Sequence, residues 1–404
     1  MMTKSPLTIR YYDNKEEHGP IYNWREVFAD YKRLKVPEEY YDPTKTPVDK
    51  CHVNNIISIR SRGKTTGWLL IGMLAYKRWG CKTVYIRQLE DMLAPVNARE
   101  LFDVINTYKQ GWYVRAVSDE EYNYILVKDR RAYFTRINEN GEIEKRETEP
   151  WLYMVSVDRN YLYKSSFNVP DANLIIYDEF ISNKFAPNEF VQYNDLLSTI
   201  IRKRLTPIIV MLANNINVNS EYFREEEISR EVKKMNQGDA KICYTTKGMP
   251  IYVEIDKPKK QERHLGLLRN LFFGYDNQKL TSITGDSGAW VFEMYPHIVH
   301  EEDEERLARN LYIDTGEDLL NVEFVLQPKL GLVAHVHLGL RTYDDSVILT
   351  VGDITDSRQQ FGFGRVRLAA ALWELYKVNR VYYADNETGT LFKQYVNMCK
   401  VSKK

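Results

Sequence analysis

Residues 58–67, SIRSRGKTTG, determine how this 404-residue chain is interpreted. They follow the short apolar run NNIISI and lead into KTTGWLLIGMLAYKRWG, a pattern that predicts a largely buried helix ending at Gly80. The next segment, KTVYIRQ at residues 82–88, predicts a strand because it is rich in β-branched and aromatic residues. A strand–loop–helix–strand unit of this length predicts a parallel βαβ crossover, and therefore an α/β fold.

Gly63, Lys64 and Thr65 within this stretch match the end of a phosphate-binding loop. In such a loop backbone N–H groups and a helix N-terminus surround a phosphate, the lysine contacts the β- and γ-phosphates, and the hydroxyl binds magnesium. Ser58 stands where the first glycine of the motif is expected. Serine weakens the match, because glycine tolerates backbone conformations that serine avoids. A chance match in a basic turn is the alternative.

A second element follows a buried strand, in NLIIYDEF, where Asp178 and Glu179 come directly after apolar residues. An aspartate there can hold magnesium through water, and an adjacent glutamate can orient and deprotonate an attacking water molecule. The alternative is a pair of carboxylates that cap the following helix. The upstream phosphate loop and the downstream apolar run IIVML favour the nucleotide interpretation, with central strands covered on both faces.

A third element is the segment IIRKRLTPIIVMLANN, which carries Arg202 before a core strand and Asn214 at its end. A guanidinium at a subunit edge can neutralise charge on the phosphoryl group in a neighbouring site. An amide at the tip of the adjacent strand can sense the γ-phosphate. The alternatives are a surface arginine at a helix end and an asparagine that simply ends a strand.

Charge and cysteine usage limit the classes of protein that fit. The 56 basic and 56 acidic residues balance, which argues against a protein that coats nucleic acid over its whole surface but permits a basic groove or ring lumen. The four cysteines lack metal-ligand spacing and indicate a reducing compartment. No signal sequence or run of about 18 apolar residues occurs, so we expect a soluble, intracellular protein that is neither secreted nor membrane-bound.

Residues from about 100 to 170 alternate polar and aromatic side chains, and Asn140-Gly141 is a strong hairpin signal. This pattern predicts β-ribbons inserted into the α/β domain. Basic side chains on these ribbons could contact DNA phosphates without reading sequence. A solvated hairpin face is the alternative for each of the candidates, which are Lys128, Arg130 and Arg131, followed by Arg136, Lys145 and Arg146.

The C-terminal segment has its own order of elements. Three antiparallel strands, a helix, a parallel strand and a helix are predicted from NVEFVLQ, GLVAHVHLG, SVILTVGDI, FGFGRVRLAAALWELYKV, RVYYAD and TLFKQYVNMC. This is the order of an RNase H-like domain. The acidic run EEDEER just before it is expected to be a solvated helix face. The predicted domains are residues 1–260 with the β insertion, a linker at 261–310, and residues 311–404.

An RNase H-like nuclease holds two metals with carboxylates on its first and fourth strands. Asp385 at the end of RVYYAD fits the second position, and the first predicted strand offers Glu323 but no aspartate. Asp353 and Asp356 come only after the third predicted strand. The incomplete cluster predicts a vestigial nuclease.

Four stretches in order, SIRSRGKT, NLIIYDEF, STIIRKR and LANNINVNSEYF, resemble the DNA-packaging ATPases of tailed phages. The chain is most similar to the salasmavirus type found in small podophages, and it shares the terminase large subunit scheme of an ATPase followed by an RNase H-like domain. The resemblance implies a P-loop ATPase of the ASCE, FtsK/HerA-like class that uses ATP and Mg²⁺. It departs from that family at Ser58 and in the long β insertion.

The resemblance also implies roles for individual residues. Thr65 and Asp178 hold the metal, Glu179 is the general base, and Asn214 couples hydrolysis to movement. Arg202 acts on the neighbouring subunit, and Arg60 assists at the γ-phosphate or between subunits. The implied nucleotide-binding residues are Ser58, Arg60, Ser61, Arg62, Gly63, Lys64, Thr65 and Thr66.

The function implied by the resemblance is ATP-driven translocation of double-stranded DNA into a viral procapsid in the host cytoplasm. The family works as a homomeric ring, usually of five subunits, docked on the portal, and the salasmavirus type adds a structural packaging RNA. One alternative is a full terminase with an active C-terminal nuclease. Another is a nucleotide-binding nucleic-acid assembly protein without motor activity. A helicase is a third, although the sequence contains no further helicase motifs.

Overall fold

The computed structural model describes residues 22–58, 62–163, 169, 171–181, 189–214, 220–257, 295–315, 318–339, 342, 345–350, 354–363 and 366–401. None of the helices in these ranges is long and apolar enough to cross a bilayer. The chain divides into two compact units. The first comprises Met1–Ile181, Asn188–Asn215 and Glu225–Phe272, and the second comprises Ser182–Pro187, Ile216–Arg224 and Phe273–Lys404.

A mixed sheet dominates the first unit. Its strands within the described ranges are β1 Val53–Ser58, β2 Lys82–Arg87, β3 Tyr124–Lys128, β4 Arg131–Ile137, β5 Ile143–Arg146, β6 Leu152–Ser156, β7 Ala172–Asp178, β8 Ile208–Asn214, β9 Ala240–Tyr244 and β10 Pro250–Ile255. Their order is β3-β4-β6-β2-β7-β8-β1-β10-β9, with β5 beside β4. From β6 to β10 all neighbours are parallel, which confirms the predicted α/β fold with a parallel central sheet.

Helices cover this sheet. They are α1 Trp24–Arg33, α2 Lys64–Trp79, α3 Pro95–Glu100, α4 Asp103–Thr107, α5 Trp112–Val117, α6 Asn160–Tyr163, α7 Glu189–Ile201 and α9 Ser229–Val232, whereas most of α8 Glu221–Glu225 belongs to the second unit. The helix α2 is apolar almost all round and is buried from Gly67 to Ala75, as expected for a central helix. It ends where predicted, at Gly80, whose φ of 71° lets its N–H donate to the Tyr76 carbonyl at 2.7 Å.

The predicted β insertion is only partly a ribbon. Residues 95–117 form the short helices α3, α4 and α5, because apolar side chains recur there at helical spacing and Phe102, Ile105 and Val114 are buried. The strands β3, β4 and β5 are antiparallel, as predicted. They are not a separate ribbon, since β4 pairs with β6 and so extends the main sheet.

The second unit is built on a smaller sheet. Its described strands and helices are β11 Glu305–Asp314, β12 Leu319–Gln327, β13 Gly331–Gly339, β14 Val347–Thr350, β15 Gln359–Phe361, α10 Arg367–Lys377, β16 Val381–Tyr383 and α11 Asn386–Val401. The strand order is β15-β14-β11-β12-β13-β16. The strands β11, β12 and β13 are antiparallel, and the other neighbours are parallel. Apolar side chains of α10 and α11 pack on one face of the sheet.

Three predictions for this segment are wrong. The end of the acidic run EEDEER is not helical, because Glu305 begins β11, and the alternating residues Leu311 and Ile313 of that strand are buried in the core. The stretch NVEFVLQ is therefore in the second strand, not the first. The strand β14, from SVILTVGDI, pairs in parallel with β11 instead of antiparallel with β13.

Candidate nucleotide-binding site

The candidate site lies where three parallel strands of the first unit end. The strands β1, β8 and β7 are neighbours, Ser58 is in register with Asn214, and Asp178 is in register with Leu212. Because parallel strands end at the same edge, this edge gathers the polar residues that follow each apolar run. The helix α2 begins six residues after β1, so its N-terminus lies at the same edge.

Gly63 precedes α2, and two features of this position favour glycine. Its φ is 67°, in the left-handed region that other residues rarely adopt. A Cβ at this position would also lie 2.7 Å from the Tyr40 ring. The backbone N–H groups of the first turn of α2 have no partner within the helix, so this end of the helix favours an anion.

The Lys64 ammonium lies between the ends of β1 and β8. Its Nζ donates to Ser58 Oγ at 2.7 Å and to Asn214 Oδ1 at 3.2 Å. The residue is 7% exposed, and burial lowers the pKa of Lys64 to about 8 even though nearby carboxylates act in the opposite direction. Ser58, the departure from the glycine motif, thus holds the lysine by a contact that glycine could not make. A buried ammonium with these two neutral acceptors is a ready partner for a phosphate.

Asp178 is the second centre of the site. Its Oδ2 accepts hydrogen bonds from Thr65 Oγ1 at 3.0 Å and Tyr85 OH at 2.7 Å, and Arg87 Nη1 lies 3.3 Å away. Burial, together with the Asp178 carboxylate, raises the pKa of Tyr85 well above its usual value, so this hydroxyl remains a donor. A hydroxyl and a carboxylate at this separation are the hard oxygen ligands that Mg²⁺ prefers. The donor set therefore fits magnesium.

Glu179 turns away from the strand that ends at Asp178. Its φ is 58°, a left-handed conformation that costs about 1–3 kcal/mol in a residue other than glycine. The side chain is 45% exposed, and its Oε2 accepts from Arg87 Nη2 at 2.8 Å. Arg87 thus contacts both carboxylates and holds Glu179 beside the site.

Sequence reasoning missed Tyr85 and Arg87. Both lie on one face near the end of β2, two residues apart, and β2 pairs with β7 in the sheet. The available signal was a pair of polar groups at alternate positions near the carboxyl end of the strand. Using that signal required knowing that β2 and β7 are neighbours, which local patterns do not reveal.

Comparisons with known proteins agree with this architecture. No protein-family model matches the chain. The DNA packaging proteins of Bacillus phage PZA and Bacillus phage phi29 are each 25% identical to it over 199 residues, which are 48% of this chain and 52% of each relative. The chain therefore spans about half the length of the curated relatives that it matches.

Similarity to solved structures extends further. The Phi-28 gp11 DNA packaging motor aligns with a TM-score of 0.52 at 18% identity, covering 87% of this chain and 95% of that one. The chain has the fold of phage DNA-packaging motors. The phi29 viral genome packaging motor assembly gives the same TM-score of 0.52 at 16% identity, covering 89% of this chain and 100% of that one. The resemblance inferred from the four sequence motifs is confirmed. The covered share exceeds the first unit alone, so the similarity includes residues of both units.

The structure describes part of what remains of the predicted phosphate loop. Arg60 and Ser61 lie outside the described residues, and Thr66 is in the first turn of α2. The Arg62 guanidinium is buried, with Nε 3.1 Å from Asp256 Oδ2, and it also donates to the Glu39 carbonyl. These contacts give the Arg62 side chain an anchoring role for the loop. Its predicted role in nucleotide binding stays a prediction.

Two arginines near the end of α7 differ in their contacts. Arg204 donates to the backbone carbonyls of Ala172, at 2.6 Å, and Ile200, so it ties α7 to β7. Arg202 is exposed and has a φ of 53°, one residue beyond the helix. The Arg202 Nε also lies 3.4 Å from the Thr199 carbonyl oxygen, and the predicted action of Arg202 on a neighbouring subunit stays a prediction.

The candidate DNA contacts lie around the tight turn between β3 and β4, where Asp129 and Arg130 have φ angles of 49° and 57°. Arg130 pairs with Glu90, and the Arg131 guanidinium lies 5.7 Å from the centre of the Tyr153 ring. Lys128 is exposed. Internal pairing also involves three further candidates, in the pairs Lys145–Glu121, Arg136–Glu144 and Arg146–Tyr133.

The predicted vestigial nuclease residues belong to different elements of the second unit. Glu323 is on β12 in register with His335, and Asp385 follows β16, where its Oδ1 accepts the Thr388 N–H at 2.7 Å and caps α11. Because β11 is the first strand, the carboxylate at the end of the first strand is Asp314. Asp353 lies outside the described residues.

Proposed function

We propose that this chain is an ATP-hydrolysing, magnesium-dependent translocase that packages double-stranded viral DNA into a procapsid. One observation carries the proposal: Lys64 contacts Ser58 and Asn214, and the next residue, Thr65, lies 3.0 Å from Asp178. That arrangement is what binding of a metal-bound triphosphate requires. The similarity to phage DNA packaging proteins supports the choice of DNA as the moved substrate.

In the proposed reaction the N-terminus of α2 and Lys64 bind the β- and γ-phosphates of ATP. Lys64 exchanges its contacts with Ser58 and Asn214 for charged phosphate oxygens, which form stronger hydrogen bonds with an ammonium. Thr65 and Asp178 would hold magnesium, which neutralises charge on the phosphates when bound.

Glu179 is the proposed general base, which orients the attacking water and takes its proton. It must first leave Arg87, with which it forms an ion pair of 2.8 Å. Because the Glu179 side chain is 45% exposed, that ion pair contributes only about 0.2–1 kcal/mol. Separating Glu179 from Arg87 therefore requires little free energy. A positioned base accelerates turnover by about 10²–10⁴-fold.

Asn214 and Arg202 would connect hydrolysis to the ring. When the Lys64 ammonium turns to a phosphate, Asn214 loses the 3.2 Å hydrogen bond that it accepts from Lys64 Nζ. This loss can transmit ligand binding to the end of β8. The exposed Arg202 would act on the site of the neighbouring subunit, and Arg60 would assist at the γ-phosphate. We propose that this chain, like members of the family, assembles into a homomeric ring of five subunits. This ring would dock on the portal together with a packaging RNA.

The trans role of Arg202 has its own test. Arg202→Ala subunits mixed with Glu179→Gln subunits regain sites in which an intact glutamate faces an intact neighbouring arginine. We expect mixtures of the two inactive variants to recover part of the ATPase activity. Mixtures that stay as inactive as either variant alone would contradict the role.

For the second unit we propose an RNase H-like domain without nuclease activity. The antiparallel strands β11, β12 and β13, followed by β14 parallel to β11, support that fold. The competing function is a full terminase. Manganese-dependent nicking of plasmid DNA by the full chain, lost in Asp385→Ala, would favour the terminase, whereas no nicking supports the proposal.

ATP turnover with and without duplex DNA, across a series of protein concentrations, tests the proposed motor. We expect magnesium-dependent hydrolysis that DNA stimulates and that rises cooperatively as subunits assemble. Lys64→Met should abolish turnover, and Lys77→Met is the matched control because Lys77 is on the same helix but pairs with Glu147. Nucleotide binding without DNA-stimulated hydrolysis would instead indicate an assembly protein.

A further inference from the structure

A cluster of metal-ligating side chains lies in the second unit, on residues that the proposed motor does not use. His300, Glu304 and His335 each offer one ligand atom, and these atoms lie within 4.8 Å of one another. His335 is in the middle of β13, while His300 and Glu304 belong to the segment just before β11. Since Ala334 and Val336 face the apolar core, His335 points to the opposite face of the sheet.

His335 is the unusual member of the cluster. It is 1% exposed, and among the described residues neither of its ring nitrogens has a hydrogen-bond partner. Burying a polar group without a partner costs free energy, so such groups normally have a partner that is a protein group, water or an ion.

Glu304 is held in a defined orientation. Its Oε2 accepts the Glu301 N–H at 3.2 Å and contacts Gln327 Nε2 at 3.4 Å, while its Oε1 lies 2.8 Å from His300 Nδ1. Outer hydrogen bonds of this kind orient the carboxylates of metal sites. The His300 side chain is 57% exposed, so solvent reaches one side of the cluster.

We propose that His300, Glu304 and His335 bind a divalent transition metal ion, best matched by Zn²⁺, with water as the remaining ligand. Two imidazoles and one carboxylate form a common zinc donor set, and three protein ligands leave one tetrahedral position open. Mg²⁺ and Ca²⁺ prefer all-oxygen ligands and fit poorly. The ion would fasten the segment before β11 to β13, which stabilises the second unit independently of the nucleotide site.

Zinc titration of the chelator-stripped full chain, with Co²⁺ as a spectroscopic probe, tests this site. We expect one Zn²⁺ per chain, a tetrahedral Co²⁺ spectrum that Zn²⁺ displaces, and a higher Tm with Zn²⁺. His300→Gln, an exposed position that should not disturb folding, lowers the zinc affinity at least about tenfold. Glu304→Gln does the same. His297→Gln is the matched control, because His297 is exposed and its Nε2 contacts Asn386 instead.

Three results would overturn the site. One is no zinc bound at micromolar concentration, which would leave an ordinary His300–Glu304 pair beside a buried histidine. The second is equal zinc affinity in wild type and His300→Gln, which would put the metal elsewhere. The third is an octahedral Co²⁺ spectrum. Nucleotide binding should be the same with and without zinc. A failure of the zinc site can therefore be distinguished from a failure of the proposed motor function.

Discussion

Replacing Glu179 by glutamine separates binding from catalysis at the candidate site. The substitution keeps the shape of the side chain and one hydrogen-bond acceptor for Arg87, but it removes the carboxylate that would take a proton from water. Lys64, Thr65 and Asp178 keep all their contacts. Nucleotide binding should therefore persist while turnover is lost.

The expected effects of the substitution on kcat and on nucleotide affinity differ by orders of magnitude. Loss of a positioned general base lowers kcat by about 10²–10⁴-fold. The Glu179 side chain of the Arg87–Glu179 pair is 45% exposed and the pair is worth about 0.2–1 kcal/mol, so its weakening changes nucleotide affinity by no more than about fivefold. The variant should bind nucleotide nearly as well as wild type and hydrolyse it at less than about one hundredth of the rate.

Steady-state ATP turnover and equilibrium binding of a fluorescent ATP analogue measure the two effects. The matched control is Glu147→Gln, the same isosteric change at another ion-paired carboxylate of the first unit, which contacts Lys77 at 2.5 Å. The control should keep wild-type turnover. A Glu179→Gln variant that hydrolyses ATP within about fivefold of wild type would refute the assignment of the base, since that loss is far below the range for general-base catalysis.

Three further predictions concern the framework of the first unit. Glu226 accepts a hydrogen bond from Asn55 Nδ2 at 2.6 Å, and burial raises the pKa of Glu226 to about 8. Above pH 4.5 this carboxyl group therefore ionises in the unfolded chain but stays protonated in the folded chain. Each pH unit above 4.5 then lowers the free energy of unfolding by about 1.4 kcal/mol. Glu226→Gln should therefore raise the free energy of unfolding by about 3 kcal/mol at pH 7 but not at pH 4. Equal effects of the substitution at both pH values in urea melts would contradict this prediction. Asp256→Asn leaves the buried Arg62 charge unpaired and should cost about 3–5 kcal/mol in the same melts, and a loss under about 1 kcal/mol would show that the pair does not anchor the loop. Gly63→Ala forces a Cβ against a ring at 2.7 Å in a left-handed conformation, so ATP binding should be lost with the far-UV spectrum unchanged; wild-type affinity would contradict this loop geometry.

Local patterns were sufficient for the elements that carry the candidate site. The strand β7 is buried at every position, and an uninterrupted apolar run predicts such a central strand without knowledge of its neighbours. The helix α2 is bounded by glycines at both ends, Gly63 and Gly80, which mark its limits in the sequence. From these features the sequence alone could place Ser58, Lys64 and Asp178 at one site.

Contacts between distant strands were not predictable in the same way. Arg87 bridges both site carboxylates only because β2 pairs with β7, and strand order in a sheet is a property of the whole fold. The strand β11 was missed because its first residues belong to a run of like charges, which usually marks a solvated surface. The position of His335 beside His300 and Glu304 likewise depends on how a non-helical segment packs on a sheet.

A high-resolution structure with magnesium and a nonhydrolysable ATP analogue tests the central claim most directly. We expect the Lys64 ammonium to leave Asn214 and to lie within about 3.2 Å of the β- and γ-phosphate oxygens. Thr65 and Asp178 should both face the magnesium ion, with Asp178 bound directly or through water. An analogue bound elsewhere, or a Lys64 side chain still hydrogen-bonded to Ser58 and Asn214 beside the bound analogue, would contradict the claim.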